Sequence, residues 1–219
     1  MASFKRSKAA AAVSVELCEV KASDVASLYE LEAASYPADE AATLEGLTLR
    51  QREAGDYFRV MMVDGSRVGF VCGTRCEAFT EESMATHAPR GPVLAIHSVV
   101  VEPSWRRRGV ALDAIRQYAA MVSKDPSLES IKLIAKAAVL PLYVGGGWRV
   151  DGLSAIVHGR DPWFQCSLDA MSVDCRVVDA FSSGASGAVP ATKGRSMGLQ
   201  LDWFAPESVR TPRETPDTL

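Results

Sequence analysis

The run Arg106-Arg107-Arg108-Gly109-Val110-Ala111 sets three guanidinium groups directly ahead of a glycine, between a β-forming stretch and an amphipathic one. A helix opening at that glycine would turn unpaired main-chain N–H groups outward and add partial positive charge at the same spot, a seat for an anion such as a pyrophosphate. The dipole supplies only ~0.3 to 1 kcal/mol when exposed and up to ~2 when partly buried, so the adjoining arginines would have to help hold a multiply charged ligand. Gly109, lacking a side chain, would let phosphates approach closely. Taken alone, the same run reads more readily as a solvated charge cluster before a helix. A Walker A loop is excluded, because no Gly-Lys-Ser or Gly-Lys-Thr follows.

The second group is His97, on the stretch that leads into this loop. Its reference pKa of ~6.5 leaves imidazole largely unprotonated at neutral pH, so it can accept a proton. Strand alternation would put Ala95, His97, Val99 and Val101 on one face. A lone strand histidine is ordinarily a buried one satisfied by a backbone carbonyl, and that reading stands beside the chemical one. The five cysteines, Cys18, Cys72, Cys76, Cys166 and Cys175, are scattered without a Cys-x-x-Cys pair. Cys72 and Cys76 are four apart, but a structural zinc site wants four ligands and the histidines are distant in sequence, so buried reduced thiols are expected and no metal.

Elements that would position these groups follow from periodicity and breakers. A strand is expected over Val15 to Val20, then a helix capped by Ser23 or Asp24 through Leu28, Leu31 and Glu32, stopped by Tyr36-Pro37. A second helix is expected over Thr43 to Glu53, ended by Gly55. Phe58 to Val63 and Arg67 to Thr74 flank Asp64-Gly65-Ser66, a hairpin signal. Glu77 to Pro92 reads as a long loop, Val93 to Val101 as a strand. Gly109 to Ser123 reads as an amphipathic helix with Leu112, Ile115, Ala119 and Val122 inward. A strand (Ile131 to Lys136), a short helix (Ala138 to Val144) closed by Gly145-Gly146-Gly147, and strands near Trp148 to Val157 and Trp163 to Leu168 complete the order β-α-α-β-β-β-α-β-α-β-β, a mixed α/β layer fold.

The 219 residues, 47% hydrophobic and 23% charged, fit one globular domain with tail to spare. A formal net charge of -3 argues against nucleic acid or an anionic membrane as the main partner. No apolar run approaches the ~20 residues of a bilayer span, and the first fourteen residues lack a secretory hydrophobic core, so a cytoplasmic location is expected. Lys5, Arg6 and Lys8 make residues 1–14 a basic arm, whose composition also partly fits a mitochondrial presequence. Residues 15–170 are expected to form the domain. Residues 171–219 are expected to be an extension, linker-like over Phe181 to Arg195.

Arg-x-x-Gly-x-Ala after a strand ending in Val101-Glu102-Pro103 resembles motif A of the GCN5-related N-acetyltransferases (GNAT). Leu140-Pro141-Leu142-Tyr143-Val144-Gly145-Gly146-Gly147-Trp148 resembles their motif B, with Trp for the usual Phe. The resemblance covers about Val15 to Leu168. Within the superfamily, Glu32 to Ala42 continuing to Arg50 to Phe58 is similar to the amine-side segment of fungal and protist arylalkylamine N-acetyltransferases. Val157-His158-Gly159-Arg160-Asp161-Pro162-Trp163 resembles their late hairpin.

That resemblance implies a central mixed sheet of about seven strands flanked by about four helices, and acetyl-CoA as co-substrate. It implies transfer of an acetyl group to the primary amine of an arylalkylamine such as serotonin, tryptamine or phenethylamine, in a ternary complex. Ser98, Val99, Val100 and Val101 would meet the pantetheine arm as another strand would, and Arg106 to Ala111 would hold the pyrophosphate. Tyr143 matches the family tyrosine beside the coenzyme A sulfur. Because a phenol titrates near ~10 and a thiol near ~8.5, it is expected to hydrogen-bond developing thiolate rather than surrender its proton fully. His97 matches one of two strand histidines in the vertebrate enzymes, and Ala95 stands where the other would be. Asp39-Glu40 resembles the Asp-Glu of the insect enzymes, which makes Glu40 a rival base. Tyr36, Pro37 and Asp39 would line the amine side. Polyamine or lysine acetylation, and a non-catalytic coenzyme A sensor, are the alternatives. Arg6-Ser7 and Arg195-Ser196 suggest sites for a phosphopeptide-binding partner.

Overall fold

A computed structural model describes residues 13–174, all within one compact unit of the chain. The arm expected over residues 1–14 and the extension expected over 171–219 lie outside the described residues but for 13–14 and 171–174, as do Ser7, Cys175 and Ser196. Among the described residues seven strands are present: β1 (Glu16–Glu19), β2 (Phe58–Val63), β3 (Ser66–Cys76), β4 (Val93–Val101), β5 (Ser130–Ala135), β6 (Arg149–Leu153) and β7 (Phe164–Asp169). Four helices accompany them: α1 (Val25–Ala33), α2 (Leu44–Glu53), α3 (Val110–Val122) and α4 (Leu140–Gly145).

The strands form one sheet in the order β1-β2-β3-β4-β5-β7-β6. Every neighbouring pair is antiparallel except β4 and β5, which α3 joins as a crossover. β2 and β3 meet through Asp64 and Gly65, with φ of 48° and 75°, while Val63 pairs Ser66. Two consecutive left-handed residues are the mirror-type hairpin turn that Asp-Gly favours. β6 ends at Leu153, short of the expected Val157. Its register slips between Val150 and Gly152, where Gly152 takes φ 135°, and the chain then loops to Trp163.

Each face of the sheet carries its own core. Against α3 and α4 pack Val71, Leu94, Ile96, Val101 and Leu133, with Ile115 and Tyr118 from α3. Against α1 and α2 pack Phe58, Val60, Phe70 and Val100, with Leu28 and Leu47 from the helices. The inward face of α3 thus includes Ala114 and Tyr118, while Leu112 is only half-buried. α2 is capped by Thr43, whose Oγ1 accepts the Gly46 N–H at 3.0 Å. Asp24 precedes α1 without capping it; its carboxylate instead accepts the Lys21 N–H at 2.9 Å. The 77–92 segment, with a 3-10 turn at Glu82–Ala85, is pinned by Arg75. That guanidinium, 1% exposed, donates to Gly91 O at 2.6 Å and pairs Asp125 at 2.5 Å.

Candidate active site

The site begins with an irregularity in β4. Against β3 the register steps from Cys72 opposite Ser98 to Gly73 opposite Ile96, leaving His97 with no opposite residue. Such a bulge inserts one residue and changes the phase of everything after it. Leu94 and Ile96 face the α3 core before it, and Val99 and Val101 face that same core after it. Ala95, His97, Val99 and Val101 therefore do not share a face, as unbroken alternation predicts. His97 and Ser98 both fall on the α1 side, His97 against Thr74 and Ser98 against Glu32.

The bulge also ends the β4–β5 ladder. Pairing runs from Val93–Ser130 only to Ile96–Leu133, although β5 continues to Ala135. The Glu102 N–H donates to Val68 O, and this fixes the ladder phase with β3. By antiparallel alternation the main-chain groups of Val99 and Val101 point away from β3, into the space β5 has left, while Ser98 and Val100 bond to β3. Of the four backbone positions expected to meet a ligand, Val99 and Val101 present their amides to the gap. Their carbonyls are taken: Val99 O accepts the Tyr36 hydroxyl at 3.4 Å, and Val101 O accepts Arg106 Nε at 2.8 Å.

At the far end of β4 a 3-10 turn, Pro103–Trp105, leads into the arginine run. Arg107 has φ 64° and Gly109 φ 88°, and α3 starts at Val110. A β-carbon on Gly109 would meet nothing within 4 Å, so its glycine is required by the left-handed backbone and not by crowding in the free chain. Arg106 is committed to the fold, with Nη2 also 3.1 Å from Ser35 Oγ beside α1. Arg107 and Arg108 are exposed, the latter lying over the Trp105 ring at 5.1 Å. Val110 is a core residue and Ala111 is half-buried. The helix N-terminus and the exposed guanidinium groups of Arg107 and Arg108 thus lie at one place, an arrangement whose charge and free N–H groups suit an anion.

The gap opens into a cavity of about 290 Å³ whose lining includes Tyr36, Glu40, His97, Val99, Tyr143 and Trp163. His97 and Tyr143 are thus brought together on one cavity. His97 Nε2 lies 2.7 Å from Thr74 Oγ1, and Nδ1 is buried with no partner. Burial first, then the positive charges of Arg50 and His158, holds its pKa well below the ordinary range, so its resting form is neutral imidazole. Tyr143, 9% exposed, stacks its edge on Trp148 with centroids 6.2 Å apart. Burial pushes its phenol up, and pushes that of Tyr36 to about 12, so both remain donors at any ordinary pH. Pro37 lines the cavity from an exposed position, whereas Asp39 is exposed and outside the lining.

Glu40 lines the cavity with one carboxylate oxygen committed to a lysine and the other, Oε2, buried without a partner. Its Oε1 lies 2.6 Å from Lys136 Nζ, which also reaches Asp161 at 2.8 Å and sits over the Trp163 ring at 5.4 Å. The Glu40 backbone carbonyl contacts His158 Nε2 at 2.7 Å. These bonds make Glu40 the strut that ties the 36–43 loop to the end of β5 and to the β6–β7 loop. The buried acid that the residue pattern did not single out is Glu32, 2% exposed. Its Oε1 accepts the Ala42 N–H and the Ser98 hydroxyl, both at 3.0 Å, while Oε2 has no partner. Burial raises its pKa, partly offset by those two donors. A glutamate at i+7 from Val25 and i+4 from Leu28, on the apolar face of α1, was the available signal. Thr74 and Lys136 gave none as site residues, since their partners His97 and Glu40 are remote in sequence.

Among the described residues no three His, Cys, Asp or Glu side chains group as a metal site. Cys72, Cys76 and Cys166 are buried thiols and Cys18 is half-buried.

The sheet is seven-stranded and mixed among the described residues and splits between its two parallel strands, with a glycine-led helix start following β4 and with His97 and Tyr143 on the cavity of the split. The chain belongs to the Acetyltransferase (GNAT) family, whose profile matches residues 25–143. It is 27% identical over 109 residues to a serotonin N-acetyltransferase of Mesocricetus auratus, covering 48% of this chain and 53% of that protein. It is 25% identical over the same span to that of Macaca mulatta. The chain thus matches about half the length of these curated relatives. Among solved structures, the loading GNATL domain of CurA from Lyngbya majuscula has a TM-score of 0.64 at 13% identity, covering 72% of this chain and 98% of that one. The aminoglycoside acetyltransferase AAC(6')-Ib, in complex with coenzyme A and kanamycin, has a TM-score of 0.55 at 16% identity, covering 71% and 95%. At these identities the structural likeness is one of fold.

Proposed function

We propose that the chain transfers the acetyl group of acetyl-CoA to the primary amine of an arylalkylamine of the serotonin, tryptamine or phenethylamine class, by direct attack in a ternary complex in the cytoplasm. The observation that carries the reading is the bulge at His97, which frees the Val99 and Val101 amides along a slot that ends in the cavity shared by His97 and Tyr143. Similarity to serotonin N-acetyltransferases supports the amine class, and so does an aromatic lining that includes Tyr36, Tyr143 and Trp163.

In this reading the start of α3, with Arg107 and Arg108, holds the pyrophosphate, and the pantetheine arm lies along β4. The amine nitrogen bonds to the acetyl carbon, the carbon–sulfur bond breaks, and the Tyr143 hydroxyl donates to the departing thiolate. An alkylamine titrates near lysine, so about one molecule in a thousand is free base at neutral pH, and His97 is the group placed to take up its proton. Proximity is the main source of rate.

A thiol-release assay with acetyl-CoA across tryptamine, serotonin, phenethylamine, spermidine and a lysine peptide tests the reading. Preference for the aryl amines is expected. Preference for spermidine or the peptide, or no thiol release with any amine, overturns it.

A further inference from the structure

Thr74 stands on β3 beside the bulge, paired with Ala95, and is 3% exposed. Its hydroxyl touches His97 Nε2 at 2.7 Å on one side. On the other it lines a second cavity of about 300 Å³, together with Arg50, Glu53, Met84, Thr86 and His87. His97 lines the first cavity and not this one. The second cavity opens at the surface, since Thr43, Glu53, Ala85 and Thr86 on its lining are exposed. Arg50 Nη1 is buried there without a partner. A hydroxyl can accept one hydrogen bond and donate another. With Nε2–H donating to Oγ1, the unpartnered Nδ1 keeps its lone pair, and the threonine O–H is left to donate on the side of the second cavity, whose volume of about 300 Å³ has room for water beside Arg50.

We propose that Thr74 is the outlet of a proton relay that leads from His97 to the second cavity. This rests on the acyl-transfer reading above. The substrate ammonium N–H breaks as its proton bonds to Nδ1. Nε2 gives its proton to Thr74 Oγ1, and the threonine passes its own to water on the Arg50 side. The imidazole stays neutral in its other tautomer, the amine becomes nucleophilic, and the released proton leaves as hydronium; the ring regains its first tautomer by exchange with water between turnovers. Such a relay is needed because His97 cannot hold the charge. Arg50 from α2 and His158 from the β6–β7 loop both oppose an imidazolium, and Glu32 from α1 is bonded to Ser98 and Ala42.

The test compares Thr74→Val, which keeps the shape and removes the hydroxyl, with Thr74→Ser, which keeps the hydroxyl. Thiol release is followed in the full chain with tryptamine and acetyl-CoA. Thr74→Val should lose about tenfold or more in kcat near pH ~7, within the range of acid–base assistance, with KM for acetyl-CoA unchanged. The deficit should shrink towards pH ~10, where a growing share of the amine is already free base. Thr74→Ser should stay within about threefold of wild type. The wild-type chain gives an independent reading that needs no variant: a solvent deuterium isotope effect on kcat near pH ~7 that fades towards ~10. A Thr74→Val enzyme equal to wild type, a deficit constant with pH, a Thr74→Ser enzyme as impaired as Thr74→Val, or no isotope effect near neutrality overturns the relay. Wild-type inactivity towards every amine would instead overturn the proposed function.

Discussion

Replacing Tyr143 by phenylalanine removes one oxygen from a ring whose packing is otherwise kept. The edge contact with Trp148 stays, and so do the hydrogen bonds from Gly146 N–H and Trp148 N–H to the Tyr143 backbone carbonyl at 2.9 and 3.0 Å. In the proposed reaction, what is lost is the donor to the departing thiolate. A hydrogen bond to a charged group contributes about 1.5 to 3 kcal/mol. At 1.4 kcal/mol per factor of ten, kcat should fall by roughly 10- to 150-fold. Because the thiolate develops only as the carbon–sulfur bond breaks, the KM of acetyl-CoA should stay put. Burial pushes the phenol far above its ordinary range, so wild-type kcat should show no alkaline fall from Tyr143 ionisation. Thiol release measured from neutral to alkaline pH on both proteins reads all three quantities. A Tyr143→Phe enzyme within twofold of wild-type kcat, or one that loses affinity for acetyl-CoA instead, would refute the donor argument.

Glu32 should make stability depend on pH. Its folded pKa is raised, so its contribution is present while the carboxyl is protonated and is lost as pH rises through the folded value, above the ordinary glutamate range. Glu32→Gln keeps an acceptor for Ala42 and Ser98, so its melting temperature relative to wild type should climb from pH ~4 to pH ~8; a constant difference on calorimetry would contradict this. Gly109→Ala, forced to φ 88° with open space around the new methyl, should cost about 1 kcal/mol, roughly 2 to 4 °C in a chain of this size, and Gly109→Asn should cost less. Equal melting of Gly109→Ala and wild type would show that the left-handed turn is not needed. With His97 neutral well into acid, kcat/KM for the amine should rise with pH along the free-base fraction of the amine and show no break near ~6.5. A break there that His97→Gln abolishes would place the histidine pKa in its ordinary range.

Local chemistry was legible wherever it is local. Asp64-Gly65 gave the hairpin, and the apolar stripe of α3 gave Ile115, Ala119 and Val122 of its buried face but not Ala114 and Tyr118. The glycine after three arginines gave the start of the helix, though not the left-handed backbone that requires it. The face carried by β4 was misread because alternation assumes an unbroken ladder, and one unpaired residue at His97 reverses it. The site's polar bonds were out of reach for another reason. Glu40 meets Lys136 across 96 residues and Ser98 meets Glu32 across 66, and no short-range pattern encodes such pairs. Glu40 read as a rival base without its lysine, which takes Oε1 and leaves Oε2 buried and unpartnered. Glu32 read as one more helical residue, although its place on the apolar face of α1 marked it for burial.

The slot between β4 and β5 is best tested by a crystal structure of the chain with coenzyme A. The pantetheine should lie along β4 with the Val99 and Val101 N–H groups on its amide carbonyls, the pyrophosphate at the Val110 end of α3, and the sulfur within hydrogen-bond reach of Tyr143. Density for the cofactor in another cleft, or a sulfur remote from the cavity that His97 and Tyr143 share, would contradict the account.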